Sequence, residues 1–198
     1  MWRWLSHNHQ TLTAVGAMLV GVAALFVAWD QGRVMRAQQH GAVVPVLQLD
    51  GFLMSRPETR SIGLRVHNNG VGPAMVESVR LFRDGADMQD FSPLLDVLPA
   101  DQDRSWASLV GRTLAPGGMI EPLMIQWPRA SLDAPGLDDL LAEWERWEVE
   151  ACYCSVFDRC WTTNTANARP EPVRHCETQR DDVFQTIGSA PEAQEPEQ

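Results

Sequence analysis

Cys152, Cys154, Cys160, His175 and Cys176 are the side chains whose types and spacing suggest chemistry. All four cysteines of the 198-residue chain fall in its last quarter. An even, clustered set suits disulfides formed in an oxidising compartment. Val156, Phe157 and Asp158 read as a three-residue hairpin loop, which sets Cys154 opposite Cys160. Facing residues at non-hydrogen-bonded sites of an antiparallel pair approach the separation a disulfide needs. Cys152 shares a face with Cys154 and is left to take Cys176. Four cysteines permit three connectivities, and this one ranks first. Such bridges staple the final hairpin and pin the chain end, each contributing about 2–4 kcal/mol.

The rival use of the same residues is a soft-ligand site for Zn or Cu(I). The C-x-C spacing followed by His-Cys matches no paired C-x-x-C knuckle, and an oxidising compartment favours disulfides over thiolates. No metal ligand and no cofactor is therefore assigned. A C-x-x-C pair at a helix start, as a thiol oxidoreductase needs, is absent. His7 and His9 lack a third ligand and read as headgroup-level polar residues. The chain holds no G-x-S-x-G, no H-E-x-x-H and no Gly-rich phosphate loop. Asp101, Asp103, Asp138, Asp139, Glu143, Glu145, Glu148 and Glu150 read as solvated faces. No catalytic residue is assigned, and the expectation is a protein that is not an enzyme.

These residues hang behind a membrane anchor. Thr11 to Trp29 holds nineteen residues without a charge. As a helix it spans about 28 Å, close to the hydrocarbon thickness of a bilayer. A cleavable signal is disfavoured, because no small-x-small pair follows the apolar run before Ala42. Trp2, Trp4 and Trp29 flank the span, as interfacial aromatics do. Ala14, Ala17, Gly21, Ala24 and Ala28 recur at spacings of three and four, forming a small-residue stripe that suits close helix packing. That stripe is a candidate contact surface for a protein partner or a second copy.

Arg3 precedes the span while Arg33 and Arg36 follow it, so flanking charge does not decide orientation. The distant cysteines decide it instead: N-terminus in the cytoplasm, the bulk of the chain in the periplasm, the anchor in the inner membrane. The net charge is −10, and the part beyond Trp29 carries −11, since Arg3 is the one charged side chain before Asp30. An acidic domain repels phosphate backbones, so no nucleic acid is expected as partner. The lipid bilayer is the expected partner of residues 11–29.

Beyond the anchor the apolar period changes to two. Val43 to Phe52 reads as a strand, with Pro45 marking an edge. Ile62, Leu64 and Val66 alternate inward against Gly63, Arg65 and His67. Asn68, Asn69 and Gly70 supply turn chemistry, since Asn and Gly tolerate positive φ. Met75 to Phe82 is a third strand, closed by Asp84-Gly85. Helical spacing of Phe91, Leu94, Leu95 and Leu98 predicts a short helix within Ala86 to Leu98. Trp106 to Leu114 and Met119 to Trp127 read as strands, with Pro122 indicating an edge or a bulge. Leu137, Leu140, Leu141, Trp144 and Trp147 predict an amphipathic helix with Glu143 on its wet side. Trp147 to Phe157 and Arg159 to Thr163 read as a closing hairpin, and beyond Asn164 order is expected to fade, with Asp181 to Ile187 as a candidate last element.

The run His67 to Gly85 carries Asn68-Asn69-Gly70-Val71-Gly72-Pro73-Ala74 before a strand ending in Asp-Gly. It resembles uncharacterised bacterial single-pass proteins with an N-terminal transmembrane helix, an N-x-G-x-G-P-A turn and a late hairpin like Tyr153 to Trp161. The resemblance implies a small immunoglobulin-like antiparallel β-sandwich with one or two short inserted helices. It makes Asn69, Gly70, Gly72 and Pro73 a structural turn and carries no catalytic residue. The short alternating strands independently indicate a mainly β, two-layer architecture. The expected organisation is a short cytoplasmic tail (1–10), a transmembrane helix (11–29), a helical stalk (30–42), a β-sandwich domain (43–164), a C-terminal extension (165–188) and a disordered acidic tail (189–198). The expected function is a non-catalytic interaction or assembly domain at a membrane. The alternatives are a metal-handling envelope protein using the Cys/His cluster and an accessory subunit of a larger membrane complex.

Overall fold

The computed structural model describes the backbone of residues 9–41, 43–167 and 169–189, and side chains within 13–33, 35, 43–167 and 169–188. Trp2, Trp4, His7, the side chain of His9 and residues 190–198, most of the expected acidic tail, lie outside the described residues. The chain divides into two units, Met1–Ala42 and Val43–Gln198.

The described residues of the first unit form one helix, α1 (His9–Gly41). Its segment Thr13–Arg33 is long and apolar enough to cross a membrane. Val15, Leu19, Phe26 and Trp29 lie exposed along it. Ala14, Ala17, Gly21, Ala24 and Ala28 lie exposed along it as well.

The second unit is built from antiparallel pairs. The strands are β1 (Leu47–Ser55), β2 (Thr59–Asn68), β3 (Ala74–Arg83), β4 (Ala86–Met88), β5 (Asp103–Trp106), β6 (Thr113–Leu114), β7 (Met119–Pro128), β8 (Trp147–Cys154), β9 (Cys160–Asn164) and β10 (Glu171–Val173). A four-stranded sheet runs β1-β2-β7-β5, and a six-stranded sheet holds β10-β9-β8-β3-β4 with β6 also on β3. Alternation places Leu47, Leu49, Ile62, Leu64, Val66, Leu123 and Ile125 from one sheet in a shared core with Val76, Val79, Leu81, Val149, Ala151 and Tyr153 from the other. Burial of this kind is the main favourable term in folding.

Several expected boundaries move, each for a physical reason. The β1 ladder begins at Leu47 rather than Val43, because Val44 and Val46 carbonyls instead accept from Val71, Gly72 and Asn69 of the following loop. Asp84 and Gly85 both have positive φ and turn β3 into β4, so helix starts only at α2 (Ser92–Leu95), one turn long. Phe91, Leu94 and Leu98 still reach the core from that irregular segment. Trp106 to Leu114 is not a strand: Gly111 at φ +77 breaks it, and only β5 and β6 pair at its ends. Pro122 lies in the internal strand β7, where Glu121 and Pro122 oppose the single Arg65 as a bulge. The amphipathic helix α3 (Ala134–Trp144) is capped by the Asp133 side chain, which accepts from Gly136 N–H at 2.9 Å, and ends before Trp147.

The Asn69–Pro73 turn works differently from its expected chemistry. Neither Gly70 nor Gly72 has a positive φ; glycine is needed because other backbone passes too close. A Cβ on Gly70 would overlap Val46 and Pro45, and one on Gly72 would overlap the Val43 carbonyl. Beyond Asn164, order continues rather than fading. β10 pairs with β9, a 3-10 turn follows at Val183–Gln185, and α4 (Thr186–Ser189) ends the described chain. Phe184 and Ile187 are fully buried there.

Candidate functional site

The cysteine cluster sits where β8 and β9 meet the returning C-terminal segment. Ser155 N–H donates to the Arg159 carbonyl at 2.8 Å, closing a loop of Val156, Phe157 and Asp158. Asp158 adopts φ +55 to make that turn. The register then sets Cys154 against Cys160 with Cα atoms 4.0 Å apart, and the two are bonded. Cys152, two residues earlier on the same face, is bonded to Cys176 across 5.7 Å between Cα atoms. None of the four cysteines is free. Cys152, Cys154 and Cys160 are buried, while Cys176 is partly exposed. The two bridges touch: Cys154 Sγ lies 3.7 Å from Cys176 Sγ.

The sulfurs of Cys154, Cys160 and Cys176 lie within 4.8 Å of one another, a spacing that could hold a metal ion. Soft metals bind thiolate, and a sulfur bonded to another sulfur is not one. Ligation by this set therefore requires both bridges to be reduced. His175 is exposed beside it.

On the opposite face of β8 stands Tyr153, the sole tyrosine. It is fully buried and stacks on Trp161, ring centroids 5.9 Å apart. Its hydroxyl accepts the Leu47 N–H at 3.2 Å, joining the two sheets. Burial pushes its pKa up to about 12, against the opposing effect of that hydrogen bond. The hydroxyl is thus neutral at ordinary pH and serves as an acceptor between layers.

Glu143 was expected on the wet face of its helix and is instead buried. Leu140 lies three residues before it and Trp147 four after, which places it at the border of the apolar stripe. Arg83 donates to both its oxygens, Nε at 2.6 Å and Nη2 at 2.9 Å. Trp147 Nε1 at 2.9 Å and Arg146 Nη1 at 3.0 Å complete the set. Arg146 also grips Asp84 through Nε and Nη2. The cluster clasps α3 to the β3–β4 turn. The Arg83 guanidinium, chiefly, holds the Glu143 carboxyl below its ordinary range, while burial opposes it.

A carboxyl held low in the fold contributes stability above its unfolded-state pKa, and that contribution fades as pH falls through the folded value. Glu143→Gln is therefore expected to cost about 1–3 kcal/mol at neutral pH through weakened charge-assisted bonds. Below the ordinary value of 4.5 the gap between variant and parent should narrow, because the unfolded parent takes up a proton there, and it closes once pH passes the lower folded value. Denaturant midpoints measured from pH 7 down to pH 3 check this, and a gap independent of pH would refute it.

What the sequence does not show is the hydrogen-bonding role of Glu143, Asp182, Asn68 and Tyr153. All four carry structural hydrogen bonds. Asp182 is 3 % exposed, with Oδ2 accepting Leu109 N–H at 2.5 Å and Val110 N–H at 2.7 Å, and Oδ1 accepting Phe184 N–H at 2.9 Å. Carboxylates so fully engaged have little capacity left to act as a general base. A groove of about 270 Å³ lies along β3 between β4 and the C-terminal segment, lined in part by Ser78, Arg80, Asp87, Glu177 and Gln179. Arg80 there is paired with Asp87 at 2.7 Å. Among the described residues lining it there is no Cys or His to pair with Ser78 as nucleophile and base. His67 is half-buried, with Nε2 3.2 Å from the Gly117 carbonyl.

No protein-family model, no curated protein and no solved structure matches the chain. The site must be interpreted from its own geometry.

Proposed function

We propose that the chain is a single-pass membrane protein whose β-domain works outside the cytoplasm in interaction or assembly, without catalysis. The observation that carries this reading is the pairing of an apolar helix, Thr13–Arg33, with a domain closed by two disulfides. Disulfides persist in oxidising compartments. On this reading the N-terminus is cytoplasmic, the anchor is retained in the inner membrane, and the domain is an immunoglobulin-like sandwich in the periplasm. The resemblance to bacterial single-pass proteins with an N-x-G-x-G-P-A turn belongs to the same proposal. The saturated hydrogen bonding of Glu143 and Asp182 favours a structural reading of the buried carboxylates.

The test uses the full chain in its native membrane. It should resist alkaline carbonate extraction, and protease added to spheroplasts should digest the domain. Release by carbonate, or protection of the domain in intact spheroplasts, would overturn the placement. The anchor's small-residue stripe is the proposed partner contact. Ala17→Leu with Gly21→Leu should abolish co-purification of a partner or a second copy, and unchanged association removes that role.

A second reading rests on the 4.8 Å sulfur cluster: metal handling by the reduced cysteines with His175 nearby. Metal analysis of reduced full chain decides it. Stoichiometric Zn or Cu supports the reading, and none discards it.

A further inference from the structure

The contact between the two disulfides has a chemical consequence beyond stapling. Cys154 Sγ and Cys176 Sγ are 3.7 Å apart although each is bonded elsewhere. Thiol–disulfide exchange needs a thiolate beside a disulfide sulfur, and here the fold supplies that proximity in advance. Cys176 is also the partly exposed member of the set, the residue most open to an external reagent.

We infer that the cluster is a disulfide relay: reduction of the Cys152–Cys176 bridge moves the remaining disulfide from Cys154–Cys160 to Cys154–Cys176. An external dithiol thiolate attacks Cys176 Sγ, and the Cys152 sulfur leaves with the bonding electron pair and takes up a proton. The second thiol of the reagent resolves the mixed disulfide, so the reagent is oxidised to a disulfide and Cys176 becomes a thiolate. The protein has gained two electrons. The Cys176 thiolate then attacks Cys154 Sγ; the Cys154–Cys176 bond forms, the Cys154–Cys160 bond breaks, and the electron pair leaves on Cys160. This second step carries no net redox change. Cys160 Sγ lies 3.8 Å from the Asp158 carbonyl oxygen, which can accept the S–H once the sulfur is protonated.

The outcome is a change of staple. In the oxidised state the hairpin bearing the exposed Val156 and Phe157 is closed across its own base. After relay, the hairpin base is open and β8 is tied to the C-terminal segment alone. Reducing equivalents arriving at an accessible cysteine are thus delivered to a buried one. The inference does not depend on what the domain binds.

The sequence makes the test direct. In a Cys152→Ser variant, trypsin leaves the other three cysteines on separate peptides, 147–159, 160–174 and 175–180. Full-length variant in detergent is equilibrated at neutral pH, quenched in acid, alkylated and mapped without reduction. The expected species joins 147–159 to 175–180 and leaves Cys160 alkylated. Its Cys160 alkylation should exceed that of Cys152→Ser/Cys176→Ser by about tenfold, because the double variant has no attacking thiol. Retention of Cys154–Cys160 with Cys176 alkylated overturns the relay, and so does a Cys160–Cys176 species. A parallel arm treats the wild-type chain with one equivalent of dithiothreitol and adds chymotryptic cleavage after Tyr153. It expects free Cys152 and Cys160 and guards against misfolding of the variant. Free Cys152 and Cys176 there would overturn the relay equally.

Discussion

Asn68→Ala is expected to lower the folding free energy by about 3–5 kcal/mol, a large part of the 5–15 kcal/mol typical of a domain. The side chain is fully buried and makes four hydrogen bonds. Its Oδ1 accepts from Val46 N–H at 3.2 Å and Gly70 N–H at 3.0 Å. Its Nδ2 donates to the Gly72 carbonyl at 2.8 Å and the Leu114 carbonyl at 3.0 Å. Its own main chain pairs with Gly117 and Gly118. One amide therefore ties together the approach to β1, the end of β2, the loop into β3, and β6. Alanine strands two donors and two acceptors, and each buried orphan costs about 1–3 kcal/mol where water does not reach it. Asn68→Asp separates hydrogen bonding from volume. It keeps the shape but loses both donors and sets a charge against two carbonyls, so it should destabilise at least as much as alanine. Denaturant unfolding of the full chain in detergent, followed by near-UV circular dichroism, gives both values. A loss under about 1 kcal/mol for either variant would contradict the hub, since one orphan alone costs that much.

The same residue shows where local pattern ends. Asn next to Asn-Gly after an alternating strand is a short-range turn signal, but Asn68 itself is the last residue of β2 and only its side chain reaches into the turn, accepting Gly70 N–H. Its partners Val46 and Leu114 are 22 and 46 residues away, and no spacing rule encodes them. Strands with clear alternation, such as the one containing Ile62, Leu64 and Val66, were legible because burial of one sheet face acts at period two. The β8–β9 hairpin was legible for the same reason, and the facing of Cys154 and Cys160 follows from a three-residue loop.

What failed was governed by distant bonds. Trp106 to Leu114 has strand-like composition, yet the Leu109 and Val110 N–H groups go to a carboxylate more than 70 residues later in the chain. A segment whose donors are taken that way cannot extend a ladder. Glu143 looked solvated because its compensating cation, Arg83, is 60 residues upstream. The segment after Asn164 reads as fading order with a last element at Asp181 to Ile187; that element exists, but its polar sequence does not show that Phe184 and Ile187 are carried into the core. The 3.7 Å sulfur contact between the bridges likewise depends on where the C-terminal segment returns, which spacing alone does not give.

Asp182→Ala should therefore free the chain end, by about 3–5 kcal/mol of lost local stability. The carboxylate accepts three main-chain N–H groups, from Leu109, Val110 and Phe184, and alanine leaves all three without their partner. Burial of Phe184 and Ile187 opposes the opening, at about 1.5–3 kcal/mol for each large apolar side chain. The Cys152–Cys176 bridge confines it, since the covalent tie lies six residues before Asp182. Residues beyond Cys176 should consequently open as a local unit while the two sheets stay paired, a sub-global event rather than unfolding. Trypsin cleavage at the exposed Arg180 reports it: each 1.4 kcal/mol of lost local stability raises the open population about tenfold, so cleavage should quicken by more than a hundredfold. Asp182→Asn keeps one acceptor oxygen and should fall between. Cleavage at the wild-type rate in Asp182→Ala would mean that Phe184 and Ile187 hold the segment by packing alone. Loss of all near-UV signal at the same time would mean instead that the segment is inseparable from the core.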